Sequence, residues 1–339
     1  MDVVDLAGQP SKDTGPVVKR LIPFICALAA ILVSCSGLTG HSSAGDEFRK
    51  GATAQNGRQY AEAIKHYSAA LSADQDYVNA YIQRAQCYSA LGDHAAAVAD
   101  YEQVVRRNDD GVSYLTLGDA QMAGGHTQLA RQAYSSASQR LPHTLGNLSM
   151  LAERMNGAHD PSAAAKFLEE ALRQTPNSWQ LWAQLGQVQF AGGATDDAVG
   201  SYATAIENAP TSALSELYAA RGDVLLATGQ LGQAIEDYQA AVRTDAGDSR
   251  AFTALARTYQ QQRRWSDAQS AYKSALQANP NDIQAYLGLG ALQEQLGDTD
   301  AAKSTYEKSL LYVTADSTRA EIAARIKGLK TGRRSDGRS

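Results

Sequence analysis

Ala234-Ile235-Glu236-Asp237-Tyr238-Gln239-Ala240-Ala241 returns 34 residues later as Ala268-Gln269-Ser270-Ala271-Tyr272-Lys273-Ser274-Ala275, and 34 residues after that as Ala302-Lys303-Ser304-Thr305-Tyr306-Glu307-Lys308-Ser309. Three features survive in every copy: an alanine, a tyrosine four residues on, and a small residue three beyond that. The same alanine–tyrosine pair stands at Ala63/Tyr67, Ala97/Tyr101, Ala130/Tyr134 and Ala198/Tyr202. A period near 34 residues marks a solenoid of stacked helical hairpins, each too small to bury its own apolar face alone. The spacing therefore predicts one elongated body, although a chain of 339 residues would otherwise suggest two or three domains.

With the tyrosine at position 24 of a 34-residue unit, the units are 44–77, 78–111, 111–144, 145–178, 179–212, 215–248, 249–282 and 283–316. Position 8 is then always Gly or Ala: Gly51, Ala85, Gly118, Ala152, Gly186, Gly222, Ala256 and Gly290. Position 20 is alanine throughout, with Ala164 supplying the fourth unit, and position 27 is small except at Val104. Helix axes 8–10 Å apart leave no room for bulk where they cross, which explains these choices. Positions 4, 7 and 11 share one helical face and hold the bulk, as in Phe252, Leu255 and Tyr259. Pro142, Pro176, Pro210 and Pro280 at position 32 end second helices. Gly92, Gly124-Gly125, Gly192-Gly193, Gly229 and Gly297 supply the turns. Unit four is the weakest copy, with Leu168 at position 24 and His159-Asp160-Pro161 in place of the glycine turn.

Small residues at positions 8, 20 and 27 with proline at 32 resemble the tetratricopeptide repeat. That resemblance implies an all-α fold: a right-handed superhelix of eight helix-turn-helix repeats over 44–316. A capping helix over 317–329 follows from Ile322, Ala323, Ile326 and Leu329 as one apolar stripe, with Arg319, Arg325 and Lys327 facing away. Residues 330–339 are expected to form a basic, disordered tail.

The resemblance also implies that first helices line a concave groove through positions 2, 5, 9 and 12, the face opposite the packing stripe. This selects Leu115, Asp119 and Met122, then Glu153, then Gln187 and Phe190, then Glu216, Asp223 and Leu226. Arg250, Arg257 and Leu287 continue the face into the last two units. Leu115, Met122, Phe190, Leu226 and Leu287 are apolar on a face expected to see solvent, the pattern of a protein-binding surface. Superhelical curvature burying some of them is the competing reading. Asp119, Glu153, Glu216 and Asp223 make the centre acidic and suit a protein or peptide with basic and apolar residues.

The N-terminus carries an address. Lys19-Arg20 precede thirteen apolar residues, Leu21 to Val33, too few for the ~20 that span a bilayer. Leu32-Val33-Ser34-Cys35 resembles the lipobox of bacterial lipoproteins. The resemblance implies a signal peptide over 1–34, cleavage before Cys35, lipid on its sulfur and amine, and a flexible tether over 35–43. Ser36 after the cysteine points, by the same resemblance, to the outer membrane facing the periplasm. Eight tether residues span roughly 15 Å, so the array stays near the membrane.

The remaining composition narrows function by exclusion. A net charge of −5 gives no reason to expect nucleic acid as the partner. Cys87 is the sole cysteine left after cleavage and lipidation, and it falls in a predicted helix as a small apolar residue. None of the six histidines has another at i+4, and the sequence holds no His-Glu-x-x-His, Gly-x-Ser-x-Gly or phosphate-binding loop. The expectation is a noncatalytic scaffold without cofactor or metal. Lipobox, tether and tandem repeats together resemble type IV or Flp pilus assembly lipoproteins. Adaptors for peptidoglycan enzymes or polysaccharide export are the alternative, with a repeat-associated hydrolase or transferase behind them.

Overall fold

The computed structural model describes residues 43–332, with side chains described through Leu329. The signal peptide, Cys35, nearly all of the tether and most of the basic tail lie outside the described residues. Among the described residues every regular element is a helix. The hairpins in chain order are α1 (Ser43–Asn56) with α2 (Tyr60–Ala73) and α3 (Val78–Ala90) with α4 (His94–Arg107). Next come α5 (Gly111–Ala123) with α6 (Thr127–Ser138) and α7 (Leu145–Gly157) with α8 (Pro161–Gln174). The second half has α9 (Trp179–Ala191) with α10 (Thr195–Asn208) and α11 (Thr211–Ala227) with α12 (Leu231–Thr244). It closes with α13 (Ser249–Gln261) and α14 (Trp265–Ala278), α15 (Ile283–Gln295) and α16 (Thr299–Ser309), and a single α17 (Asp316–Gly332).

Each element follows from its residues. All eight alanines at position 20 are fully buried, as are all the small residues at position 27. The position-24 side chain fills the seam they leave: Tyr67, Tyr238 and Tyr306 expose nothing, and Leu168 does the same work in unit four. Glycine at position 8 lets that ring come down onto the first helix. A methyl group built on Gly222 would lie 2.8 Å from the Tyr238 ring, and one on Gly51 2.7 Å from Tyr67. Asp93, Asp110, Asp160, Asp248, Asp282 and Asp298 cap helix N-termini, each accepting from the backbone N–H three residues on.

One ion pair repeats in register. Arg84 donates to both Asp100 oxygens at 2.8 and 2.7 Å, and Arg221 to both Asp237 oxygens at 2.7 and 2.6 Å. Both pairs link position 7 to position 23, and both aspartates are buried. Position 7 therefore holds bulk of either kind, apolar in most units and a neutralised bidentate arginine in units two and six.

The two irregular joints have local causes. Unit three begins one residue early, and Gly111 packs so closely on Leu141 that a methyl there would sit 2.5 Å from its Cγ. The two residues between units five and six are absorbed by α11, which starts at Thr211 and gains a turn over its neighbours. At the end of the array Ile322 and Ile326 are buried with Tyr306 and Val313, and Leu329 packs beside them. Ala323 is exposed instead of joining the stripe, and α17 continues to Gly332.

The tight turns need one residue at positive φ. Glycine fills it in five hairpins, but Arg58, His159 and Arg263 fill it in units one, four and seven at φ 57°, 58° and 59°. A side chain in left-handed geometry costs ~1–2 kcal/mol, part of which glycine returns as unfolded-state entropy. Arg263→Gly is thus expected to stabilise by up to about 1 kcal/mol, read as a higher urea midpoint at unchanged slope.

Candidate functional site

Several successive first helices touch one another: α1 with α3, α9 with α11, α11 with α13, and α13 with α15. No pair of successive second helices makes comparable contact among the described residues. First helices therefore crowd the inner side of the curve and second helices splay on the outer side. Any partner held by the curvature meets first helices.

The inner face opens into two adjacent grooves. One, of about 430 Å³, lies between α7 and α9 and is walled by Ser149, Glu153, Asn156, Gln184 and Gln187. The other, of about 310 Å³, lies between α9 and α11, with Gln180, Ala183, Gln184, Gln187 and Glu216 on its walls. Leu168 and Val188 line the first, and Tyr202 and Leu217 the second. Helix α9 is the ridge between them. Its sequence, Trp179-Gln-Leu-Trp-Ala-Gln-Leu-Gly-Gln-Val-Gln-Phe-Ala191, is apolar except for glutamines, and Gln180, Gln184 and Gln187 are all exposed along one face.

The predicted groove residues divide into two groups. Glu153, Gln187, Glu216, Asp223, Arg250 and Arg257 are exposed, and Phe190 is 36% exposed at the C-terminal end of α9. The other four apolar positions do not stand free. Leu115 is buried, sharing a cluster with Leu148 and Leu151 of α7, and Met122 packs against the same cluster. Leu226 packs against the cluster containing Leu255 and Tyr259 of α13, and Leu287 against Tyr306 and Ile322. The neighbouring repeat covers the first three, and α17 with Tyr306 covers Leu287. Competition between solvent and the next first helix is invisible on a single helical wheel, which explains the difference.

Asp119 also departs from expectation. Arg154 of the following repeat donates to both its oxygens at 2.9 Å, and the Tyr134 hydroxyl donates to it at 2.9 Å. Its charge is spent on joining repeats three and four. Arg257 donates to Gln284 at 2.8 Å in the next repeat. The acidity available to a partner is that of Glu153, Glu216 and Asp223.

The tyrosines at position 24 reach through their hairpins to this face. Tyr67 donates to Gln55 at 2.6 Å, Tyr238 to Asp223 at 2.6 Å and Tyr272 to Gln260 at 3.2 Å. Burial, helped by the hydrogen bond to the Asp223 carboxylate, pushes the Tyr238 phenol well above its ordinary range. These three rings, and Tyr134 on Asp119, thus pack the core and orient an inner-face residue with the hydroxyl. The sequence signal for this was the pairing of position 24 with Gln or Asp at position 9 or 12. Gln184, which lines both grooves, is a residue that the positions 2, 5, 9 and 12 omit. The i, i+4, i+7 glutamines of α9 were its signature.

Cys87 is buried, and burial pushes its thiol up to about 11, so it is the inert packing residue expected. Among the described residues no cluster of three or more His, Cys, Asp or Glu has metal-binding placement.

Three family models described as tetratricopeptide repeat match residues 55–115, 156–221, 215–248 and 253–319, together more than half of the chain. They leave out residues 116–155, most of unit three and the first helix of unit four, the weakest copy. Among solved structures, the C-terminal part of a repeat-containing protein of this kind from Cytophaga hutchinsonii is 22% identical, with a TM-score of 0.52 over 71% of this chain and 99% of that one. MamA from Desulfovibrio magneticus is 21% identical over 50% of this chain and 94% of its own, at a TM-score of 0.45. Yeast Tom70 is 14% identical over 90% and 68%, at 0.49. The likeness to the first of these speaks to fold alone. No curated protein matches the chain.

Proposed function

As this chain belongs to the tetratricopeptide repeat family, we propose that it is a noncatalytic scaffold that holds a protein or peptide partner on its inner face at α7, α9 and α11. The pair of grooves flanking the glutamine ridge carries this reading, because the exposed side chains of Glu153, Gln184, Gln187 and Glu216 converge there with donors and acceptors turned to solvent. The Leu32-Val33-Ser34-Cys35 stretch supports a place in the bacterial cell envelope, lipid-anchored through Cys35 and facing the periplasm from the outer membrane. A permanent anchor suits a protein that collects partners at a membrane rather than diffusing between them. Assembly of pilus or secretion machinery is the envelope process that lipobox, tether and tandem repeats best suit.

The test uses the full chain in its native envelope, with a photoreactive residue placed at Gln187, at Phe190 or, as a control, at the exposed outer-face Glu207. Discrete adducts from the first two positions and none from the third are expected. Equal adducts from all three would remove the inner face as the binding surface. Cys35→Ala is expected to release the chain from the membrane fraction; unchanged fractionation would remove the lipid anchor and leave the groove reading standing.

A further inference from the structure

We propose that the segment bound at α9 is an extended strand carrying two adjacent basic residues, whose main chain is read by Gln184 and Gln187 while its side chains fall to either side. This rests on the inner-face reading above and names the chemistry of its partner.

The ridge and its two flanking grooves impose the shape. Gln180, Gln184 and Gln187 form a stripe along α9 about 10 Å long. That length matches about three residues of extended chain at ~3.3 Å each. The amides of Gln184 and Gln187 each offer a donor and an acceptor, the complement of the N–H and C=O that every peptide unit of a strand presents, whereas Gln180 accepts from Ser178 at 3.4 Å. A strand laid along the ridge sends successive side chains to opposite sides, so one residue enters the α7–α9 groove and the next enters the α9–α11 groove.

Charge then selects the side chains. Glu153 lines the first groove and Glu216 the second, and both carboxylates are exposed with no ion-pair partner among the described residues. The inner-face arginine nearest to Glu153 in sequence, Arg154, is turned away onto Asp119. Two acidic pockets on opposite sides of a main-chain reader call for cations at positions i and i+1. Cations at i and i+2 would both face the same groove.

The probe is a labelled peptide of about ten residues with a central Lys-Lys in a Ser/Ala background, titrated by anisotropy against the full chain at low salt. Comparison peptides carry Lys-Ala-Lys, Glu-Glu or Ser-Ser. The Lys-Lys peptide is expected to bind about tenfold more tightly than Lys-Ala-Lys, one charge-assisted contact being at stake. Glu153→Gln and Glu216→Gln should each cost the Lys-Lys peptide about tenfold and leave Ser-Ser unchanged. Gln184→Ala should weaken all four peptides by a similar factor, since it removes main-chain contacts. Circular dichroism confirms that the variants remain helical. Equal binding of Lys-Lys and Lys-Ala-Lys, or insensitivity to both glutamate changes, overturns the proposal. A severalfold gain in Lys-Lys affinity on deleting residues 330–339 would make the chain's own basic end, with Arg333-Arg334, the occupant and overturn a separate partner. A partner crosslinked at Gln187 in the envelope but lacking a dibasic segment at the contact leaves the scaffold function intact and sinks this inference alone.

Discussion

Between about pH 10 and pH 12 the array is expected to lose its helix content, with ionisation of the seam tyrosines as the cause. Burial raises the phenols of Tyr101, Tyr202 and Tyr306 to about 12, and pushes those of Tyr67, Tyr134 and Tyr238 higher still. In the unfolded chain each returns to about 10. A group whose folded pKa is raised adds stability that is complete below the unfolded value and is lost as pH climbs through the folded one. Raising a phenol from about 10 to about 12 corresponds to roughly 3 kcal/mol per tyrosine. Two or three such groups equal the ~5–15 kcal/mol total stability of an ordinary domain, so the array should unfold before all of them ionise at their folded pKa values. Phenolate absorbance and far-ultraviolet circular dichroism followed together through the titration check this. A buried subset should ionise only as the helix signal falls. If all phenols titrate near pH 10 while the helices persist, the tyrosines do not fill the seams.

The architecture was readable because its determinants are local and periodic. Ala234, Tyr238 and Ala241 fix one contact between two helices of one hairpin, and the 34-residue interval repeats that contact along the chain. Glycine at position 8 completes it, since Gly222 and Tyr238 are coupled by the 2.8 Å that a methyl group would leave. The same logic placed the positive-φ turns at Gly92, Gly125, Gly193, Gly229 and Gly297. Arg58, His159 and Arg263 take the same geometry without announcing it, because no side-chain type demands left-handed backbone in the way glycine permits it.

The candidate site was legible only in part, and the division has a physical basis. Polar residues on the inner stripe, such as Glu153, Gln187 and Glu216, stay in solvent because desolvating them without a partner is costly. Apolar residues on the same stripe are drawn under the next first helix whenever it is near, as Leu226 is by α13. Their exposure depends on contact between repeats, which the pattern within one repeat does not encode. Phe190 remains partly open because it stands at the end of α9, where the hairpin turns away. A test of capture by substitution therefore alters Phe190 alone. Serine at Leu226 would open the core cluster around Leu255 and confuse folding with binding.

Tyr238→Ala is expected to cost roughly 3–5 kcal/mol, the range for removing a large buried aromatic. The ring is fully buried in a cluster with Leu225, Leu255, Tyr259 and Tyr272, and its loss also frees Asp223. Stability in a solenoid is close to a sum over repeats and their neighbours. A loss concentrated in unit six should therefore split the thermal transition, with units seven and eight melting apart from units one to five. Unit four shows how the seam can be rebuilt: there Ala152 at position 8 faces Leu168 at position 24, both buried. Tyr238→Leu shrinks the ring side of the contact, and Gly222→Ala refills the helix side. Each change alone should destabilise, the second by driving a methyl group into the ring, whereas the pair should recover about 1 kcal/mol or more relative to additivity. A double-mutant cycle by urea denaturation measures this coupling directly. Strict additivity of the two changes would mean that positions 8 and 24 do not touch, and the register that places every inner-face residue would fall with them.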